Sequence, residues 1–153
     1  VASWFEVEAS APELAAQARR RFQAHRHHTL ATLRRDGSPR ISGTEAQFRD
    51  GELWIGSMLG ARKARDLQRD PRFALHSASE DPPGWQGDAK IAGRMVEVTD
   101  PAVVEAVNGT AAGPSHLFRA EVTEVVLVHL NEAADRLVVE SWRQGRGISR
   151  TER

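Results

Sequence analysis

Two Asp-Gly pairs, Asp36-Gly37 and Asp50-Gly51, restrict this chain more than any other feature of its sequence. Each sits between residues of extended character, and Asp-Gly supplies the positive φ that a tight hairpin turn requires. The stretches they join, residues 29–34, 39–48 and 52–57, are predicted to run antiparallel as a three-strand meander. A doubly wound parallel sheet is the weaker alternative, because parallel neighbours need a crossover of about a dozen residues or more, which these turns do not leave.

Around the meander the pattern alternates between helix and strand. Ser10-Ala11-Pro12-Glu13 has capping-box spacing, with a Pro where a missing N–H costs little, so a helix is predicted over about residues 11–24 with Leu14, Ala18 and Phe22 buried. After Ser57 the period is helical again, with Ala61, Ala64 and Leu67 on one face until Asp70-Pro71 ends it. Strands are predicted over about residues 72–78, 88–98, 117–130 and 136–142, and a short helix follows Asp100-Pro101. Residues 79–87, with Pro82-Pro83-Gly84, read as a loop, and residues 144–153 as an Arg- and Gly-rich tail. The expectation is one domain over residues 1–153, mainly β: an antiparallel barrel, closed or partly closed, with about three short helices outside it.

Composition narrows the partners. Twenty-one basic and 21 acidic side chains give a formal net charge of zero, so attraction to nucleic acid or an anionic membrane has no global source. The Arg19-Arg20-Arg21 run reads as a solvated helix face. Without Cys, disulfides and thiolate metal sites are excluded. No apolar run approaches the roughly 20 residues of a membrane span, and the beginning lacks the layout of a secretion signal, so a cytoplasmic location is expected.

The chemistry concentrates at Ser57-Met58-Leu59-Gly60-Ala61-Arg62-Lys63, where a strand ends and a helix begins. Free backbone N–H groups and the positive end of the helix dipole favour an anion there, and Ser57, Arg62 and Lys63 add donors. A phosphate monoester is the natural guest, and Arg40 on the neighbouring strand is placed to add planar bidentate recognition. Other candidates are weaker. His25, His27 and His28 straddle a helix end without carboxylate spacing for a metal, so no metal is expected. His76 reads as a hydrogen-bonded barrel-wall residue, Trp54 and Trp142 as core or interface residues, and Trp85 as either a loop anchor or a lid over a planar ligand. No Ser is ordered as a hydrolase triad, and no Walker loop occurs.

Ile55-Gly56-Ser57-Met58-Leu59-Gly60-Ala61-Arg62-Lys63, followed by Leu67 and Arg69-Asp70-Pro71-Arg72, resembles the phosphate-binding segment of the pyridoxamine 5′-phosphate oxidase-like family of FMN-binding split β-barrels. Residues 29–40 are similar to the family's first hairpin, and Ile91-Ala92-Gly93-Arg94 extends the likeness to about Val98. The resemblance implies a Greek-key split barrel forming a homodimer, with a flavin in each of two interface clefts. It implies that Arg62, Lys63 and Ser57 hold the phosphate, that Arg40 lines the ribityl-phosphate end, and that Trp142 with Arg146 or Arg150 approaches from the partner chain. Ala61 stands where the oxidase has a phosphate-binding Ser, Asp88 where it has a ring-contacting Gln, and Thr44 or Glu45 near its strand Lys. The chain has no Tyr and lacks the oxidase's Arg-Leu-His-Asp-Arg run, which implies a substrate other than pyridoxamine phosphate.

The expected function is an oxidoreductase that transfers hydride between FMN and a small organic molecule. Lys63 and Arg65-Asp66-Leu67 also resemble relatives that carry the 5-deazaflavin coenzyme F-420, which is the alternative cofactor. The competing class is a non-catalytic protein that stores flavin or haem on the same scaffold, and a third is a structural dimer with an empty cleft.

Overall fold

The computed structural model describes residues 2–153. Among them, nine strands form one antiparallel sheet. Along it, β1 (His28–Leu33) lies between β2 (Pro39–Thr44) and β5 (Arg72–His76); next come β6 (Asp88–Glu97), β7 (Ser115–Leu130), β4 (Glu52–Met58) and finally β3 (Ala46–Arg49). Two further strands, β8 (Leu137–Arg143) and β9 (Gly147–Glu152), extend from β7 as a branch.

Both Asp-Gly turns form, with φ of 85° at Gly37, 54° at Asp50 and 74° at Gly51. The meander does not. The predicted strand over residues 39–48 breaks at Glu45 into β2, which pairs β1, and β3, which pairs β4. These halves lie at opposite ends of the sheet order although one residue separates them, so the chain itself draws the two ends together and the sheet curls into a split barrel. The bend has a local anchor: the Ala46 amide donates to Nδ1 of buried His28 at 3.0 Å rather than continuing a strand ladder.

Among the described residues four α-helices decorate the barrel, where about three were expected: α1 (Trp4–Ser10), α2 (Pro12–Gln23), α3 (Arg62–Arg69) and α4 (Pro101–Asn108). The capping box belongs to α1, where Ser3 Oγ accepts from Glu6 N and Glu6 Oε2 accepts from Ser3 N. Ser10, predicted to cap α2, instead accepts a hydrogen bond from Trp142 Nε1 at 2.9 Å, and α2 starts without a side-chain cap. Trp4 and Val7 of α1 and Leu14 and Phe22 of α2 pack into the main core with Leu30, Ile55, Phe118 and Val125. Burying each such side chain contributes roughly 1.5–3 kcal/mol. A second cluster of Trp54, Val107 and Leu117 seats α4. The expected tail contains β9, whose six residues are all exposed and so carry no alternation to read. No helix among the described residues is long and apolar enough to cross a membrane.

Candidate functional site

The last residue of β4, Met58, opens a short turn whose backbone closes through Ala61 N donating to Met58 O at 3.1 Å. Gly60 occupies φ +76°, a conformation costly for a side chain, and its N–H donates to Nε2 of His116 at 3.1 Å. Helix α3 then begins with Ala61 as a cap that offers no side-chain acceptor and with no acidic residue in its first turn. The helix start therefore leaves its amide donors and positive dipole end for an outside acceptor.

Around this turn the structure brings Arg40, Arg62 and Lys63 to one recess of about 430 Å³, shared with Arg34, Ser42 and Met58. Arg40 is fixed in place. Its Nε donates to Asp66 Oδ2 at 2.7 Å, and the same carboxylate accepts from Thr32 Oγ1 at 2.8 Å and Arg69 Nη2 at 2.9 Å. Asp66 is only 2% exposed. Burial alone would push its carboxyl up, but the hydrogen bonds from Arg40, Thr32 and Arg69 outweigh it and hold the group below its ordinary value. The role of Asp66 as a buried anchor was not legible in the sequence, because at helical spacing it falls off the face of Ala61, Ala64 and Leu67 and is covered only when Thr32 and Arg40 of β1 and β2 fold against α3.

Lys63 donates to Gly43 O at 2.9 Å, and burial pushes its ammonium down while Glu45 partly opposes the shift. Its side chain lines both the first recess and an adjoining one of about 440 Å³. The second recess has a polar wall that includes Thr44, Glu45, Gln47, Ser57 and Asn108. Ser57 thus lies in the chamber beside the arginines rather than among them, its hydroxyl 3.3 Å from Met58 O. Among the described residues the buried hydroxyl of Thr44 has no hydrogen-bond partner.

His116, also missed from sequence, is buried on β7 with Nδ1 2.7 Å from Glu97 Oε2. Glu97 accepts from Gln68, and Gln68 from Arg65, so this chain of contacts ties the turn before α3 back to the helix. The hydrogen bonds from His116 and Gln68 hold the Glu97 carboxyl below its ordinary value against the upward push of burial.

The remaining sequence candidates lie elsewhere in the protomer. Asp88, at the start of β6, accepts from Trp85 Nε1 at 3.1 Å and lines a different recess with Arg20, Arg21 and His129. Trp85 is therefore tied down as a loop anchor. Trp142 is 4% exposed within the main core, which keeps it from lining either recess, and Arg146 is exposed on the turn between β8 and β9. The three His near the end of α2 diverge: His25 meets Glu80 at 2.6 Å, His27 meets Glu45 at 3.3 Å, and His28 meets Phe22 O at 2.6 Å. His76 lies against Ser77 O at 2.5 Å and is half-buried.

The family model of pyridoxamine 5′-phosphate oxidase matches residues 14–129, from α2 through most of β7. The chain belongs to the pyridoxamine 5′-phosphate oxidase family. Its fold is that family's FMN-binding split barrel. Among solved structures, a pyridoxamine 5′-phosphate oxidase-related, FMN-binding protein from Nostoc punctiforme is similar at 14% identity and TM-score 0.62, over 90% of this chain and 93% of that one. A conserved hypothetical protein from Mycobacterium tuberculosis is 22% identical with TM-score 0.61, over 72% of this chain and 81% of that one. An F-420 reductase is 18% identical with TM-score 0.51, over 65% of this chain and 87% of that one. At these identities the likeness to the three concerns the fold alone. None of the curated proteins matches the chain.

Proposed function

We propose that this member of the family is an oxidoreductase that binds FMN, with its phosphate at Arg40, Arg62 and Lys63 and its ring in the adjoining recess. One observation carries the reading: Arg40, held by a buried carboxylate, meets Arg62 and Lys63 beside a helix start that has no acceptor of its own. A guanidinium fixed as that of Arg40 is recognises phosphate through charge-assisted hydrogen bonds with little ordering cost on binding. The polar wall of Ser57, Gln47 and Asn108 fits the hydrogen-bonding edge of a flavin ring. When bound, the flavin supplies hydride transfer to or from a small organic substrate. The protein's part is to anchor the phosphate, orient the ring and leave one face open.

The deazaflavin F-420 is the alternative cofactor, supported by the fold likeness to an F-420 reductase. A second copy of the chain is the proposed partner, because Ile41, Met58 and Leu59 are 74%, 82% and 65% exposed beside the recesses and present apolar surface to be covered. Arg146 enters the proposal as a group supplied from that copy. The test is reconstitution: purified chain incubated with FMN should retain a visible flavin band that bleaches with a reductant and returns with an organic acceptor. A retained band that no electron donor changes would favour storage, and failure to take up flavin would contradict the reading.

A further inference from the structure

The recess that meets the phosphate continues into a larger concave surface of about 530 Å³ that carries six arginines, Arg34, Arg35, Arg40, Arg62, Arg65 and Arg69, against two acids, Asp36 and Asp66. The whole chain is electrically neutral, so this excess is local. Both acids are already engaged. Asp66 holds Arg40 and Arg69, and Asp36 accepts from the Ser38 amide at 3.0 Å and hydroxyl at 2.6 Å. Among the described residues Arg34, Arg35 and Arg62 have no ion pair and no side-chain hydrogen bond, and Arg65 meets only the neutral amide of Gln68 at 2.8 Å.

Like charges gathered on one face repel one another and weaken the folded state. Here the arrangement is also built rather than scattered: a buried carboxylate fixes Arg40 and Arg69 side by side, and the helical spacing of Arg62, Arg65 and Arg69 keeps all three on one side of α3. Arg34, Arg40 and Arg62 border both the phosphate recess and the larger surface. A ligand anchored by one phosphate at Arg40, Arg62 and Lys63 would therefore direct whatever follows that phosphate toward Arg35 and Arg65. A monoester such as FMN ends before reaching them.

We propose that the surface formed by Arg34, Arg35 and Arg65 binds a second anionic group, so that the preferred cofactor is a flavin-type molecule extended beyond its first phosphate by further negative charge. This rests on the phosphate assignment proposed above and adds a specificity to it. The shared chemistry has two sources, the diphosphate of FAD and the carboxylate chain that follows the phosphate of coenzyme F-420.

The experiment is a set of fluorescence titrations of the full chain and of an Arg35→Ala variant, a position outside both the phosphate recess and the contacts that brace its turn. FAD is compared with FMN, and F-420 with the same deazaflavin ending at its phosphate. The wild-type chain should bind at least one extended member about tenfold or more tighter than its truncated counterpart, as expected when charge-assisted contacts are added. Which pair shows the preference identifies the diphosphate or the carboxylate chain. In the variant that preference should collapse while FMN affinity stays within about twofold. Equal affinity within both pairs, or equal weakening of all four ligands in the variant, overturns the inference while leaving the phosphate site standing. Failure of the wild-type chain to bind FMN or any of the other three overturns both.

Discussion

A carboxylate buried to 2% exposure is unstable unless its oxygens are satisfied, and Asp66 meets that condition with three donors, one of which is Arg40. Asp66→Asn removes the charge while keeping the shape and leaves two guanidinium groups without their counter-ion. Breaking a buried pair in this way costs about 3 kcal/mol or more, so the melting temperature should fall, and FMN affinity should fall with it because Arg40 loses its fixed position. The same carboxyl sets an acid limit. Its value in the folded state lies below the unfolded one, so its contribution is complete above about pH 4 and is lost as pH falls through the lowered value. Denaturant titrations across that range should show a shallower acid loss for Asp66→Asn than for the wild type; identical slopes would remove Asp66 from the account. His116 makes a second residue-scale case. With Nε2 accepting from Gly60, a Gln at 116 retains an acceptor and a Phe does not, so His116→Phe should weaken FMN binding more than His116→Gln in the same titration.

At the scale of elements, the bulge at Thr123 of β7, opposite Ala92 and Gly93 of β6, is held by a contact that no side chain permits. A Cβ on Gly93 would lie 2.0 Å from the carbonyl oxygen of Glu121, where the register between β6 and β7 shifts. Gly93→Ala must therefore push two strand backbones apart, and a loss of about 1–3 kcal/mol is expected in chemical denaturation. A neutral result would show that the bulge is soft. The elements legible in the sequence were those with a local chemical cause: both Asp-Gly turns, the stop at Asp70-Pro71 and the Asp100-Pro101 cap. What the sequence hid were non-local decisions. The break at Glu45 depends on a hydrogen bond from Ala46 to His28, eighteen residues away in sequence, and the ownership of the capping box depends on Trp142 claiming the Ser10 hydroxyl. Strand β9 has all six residues exposed, and its side chains meet β8 only through surface polar contacts such as Ser149 with Ser141 at 2.9 Å and Arg150 with Glu140 at 3.6 Å, so no buried face marks it. The candidate site divides in the same way: Arg62 and Lys63 follow from the strand-to-helix junction, whereas Asp66 and His116 acquire their roles only when distant elements fold against it.

For the whole molecule, the split barrel places its cationic recess next to exposed apolar side chains at Ile41, Met58 and Leu59. A second copy covering them would bury apolar surface worth roughly 25 cal/mol per Å² and enclose the chamber beside Lys63. Sedimentation should accordingly give a dimer that Ile41→Glu shifts toward monomer; a monomeric wild-type chain at micromolar concentration would contradict the two-copy cleft. The central claim is narrower, that the junction of β4 and α3 grips a phosphate. Calorimetric titration with FMN and with riboflavin, which share a ring and differ in the phosphate, tests it most directly. Charged hydrogen bonds contribute about 1.5–3 kcal/mol each, so FMN should bind at least about a hundredfold tighter than riboflavin, and Arg62→Ala/Lys63→Ala should erase most of that difference. Equal affinities for the two ligands in the wild-type chain would contradict the account.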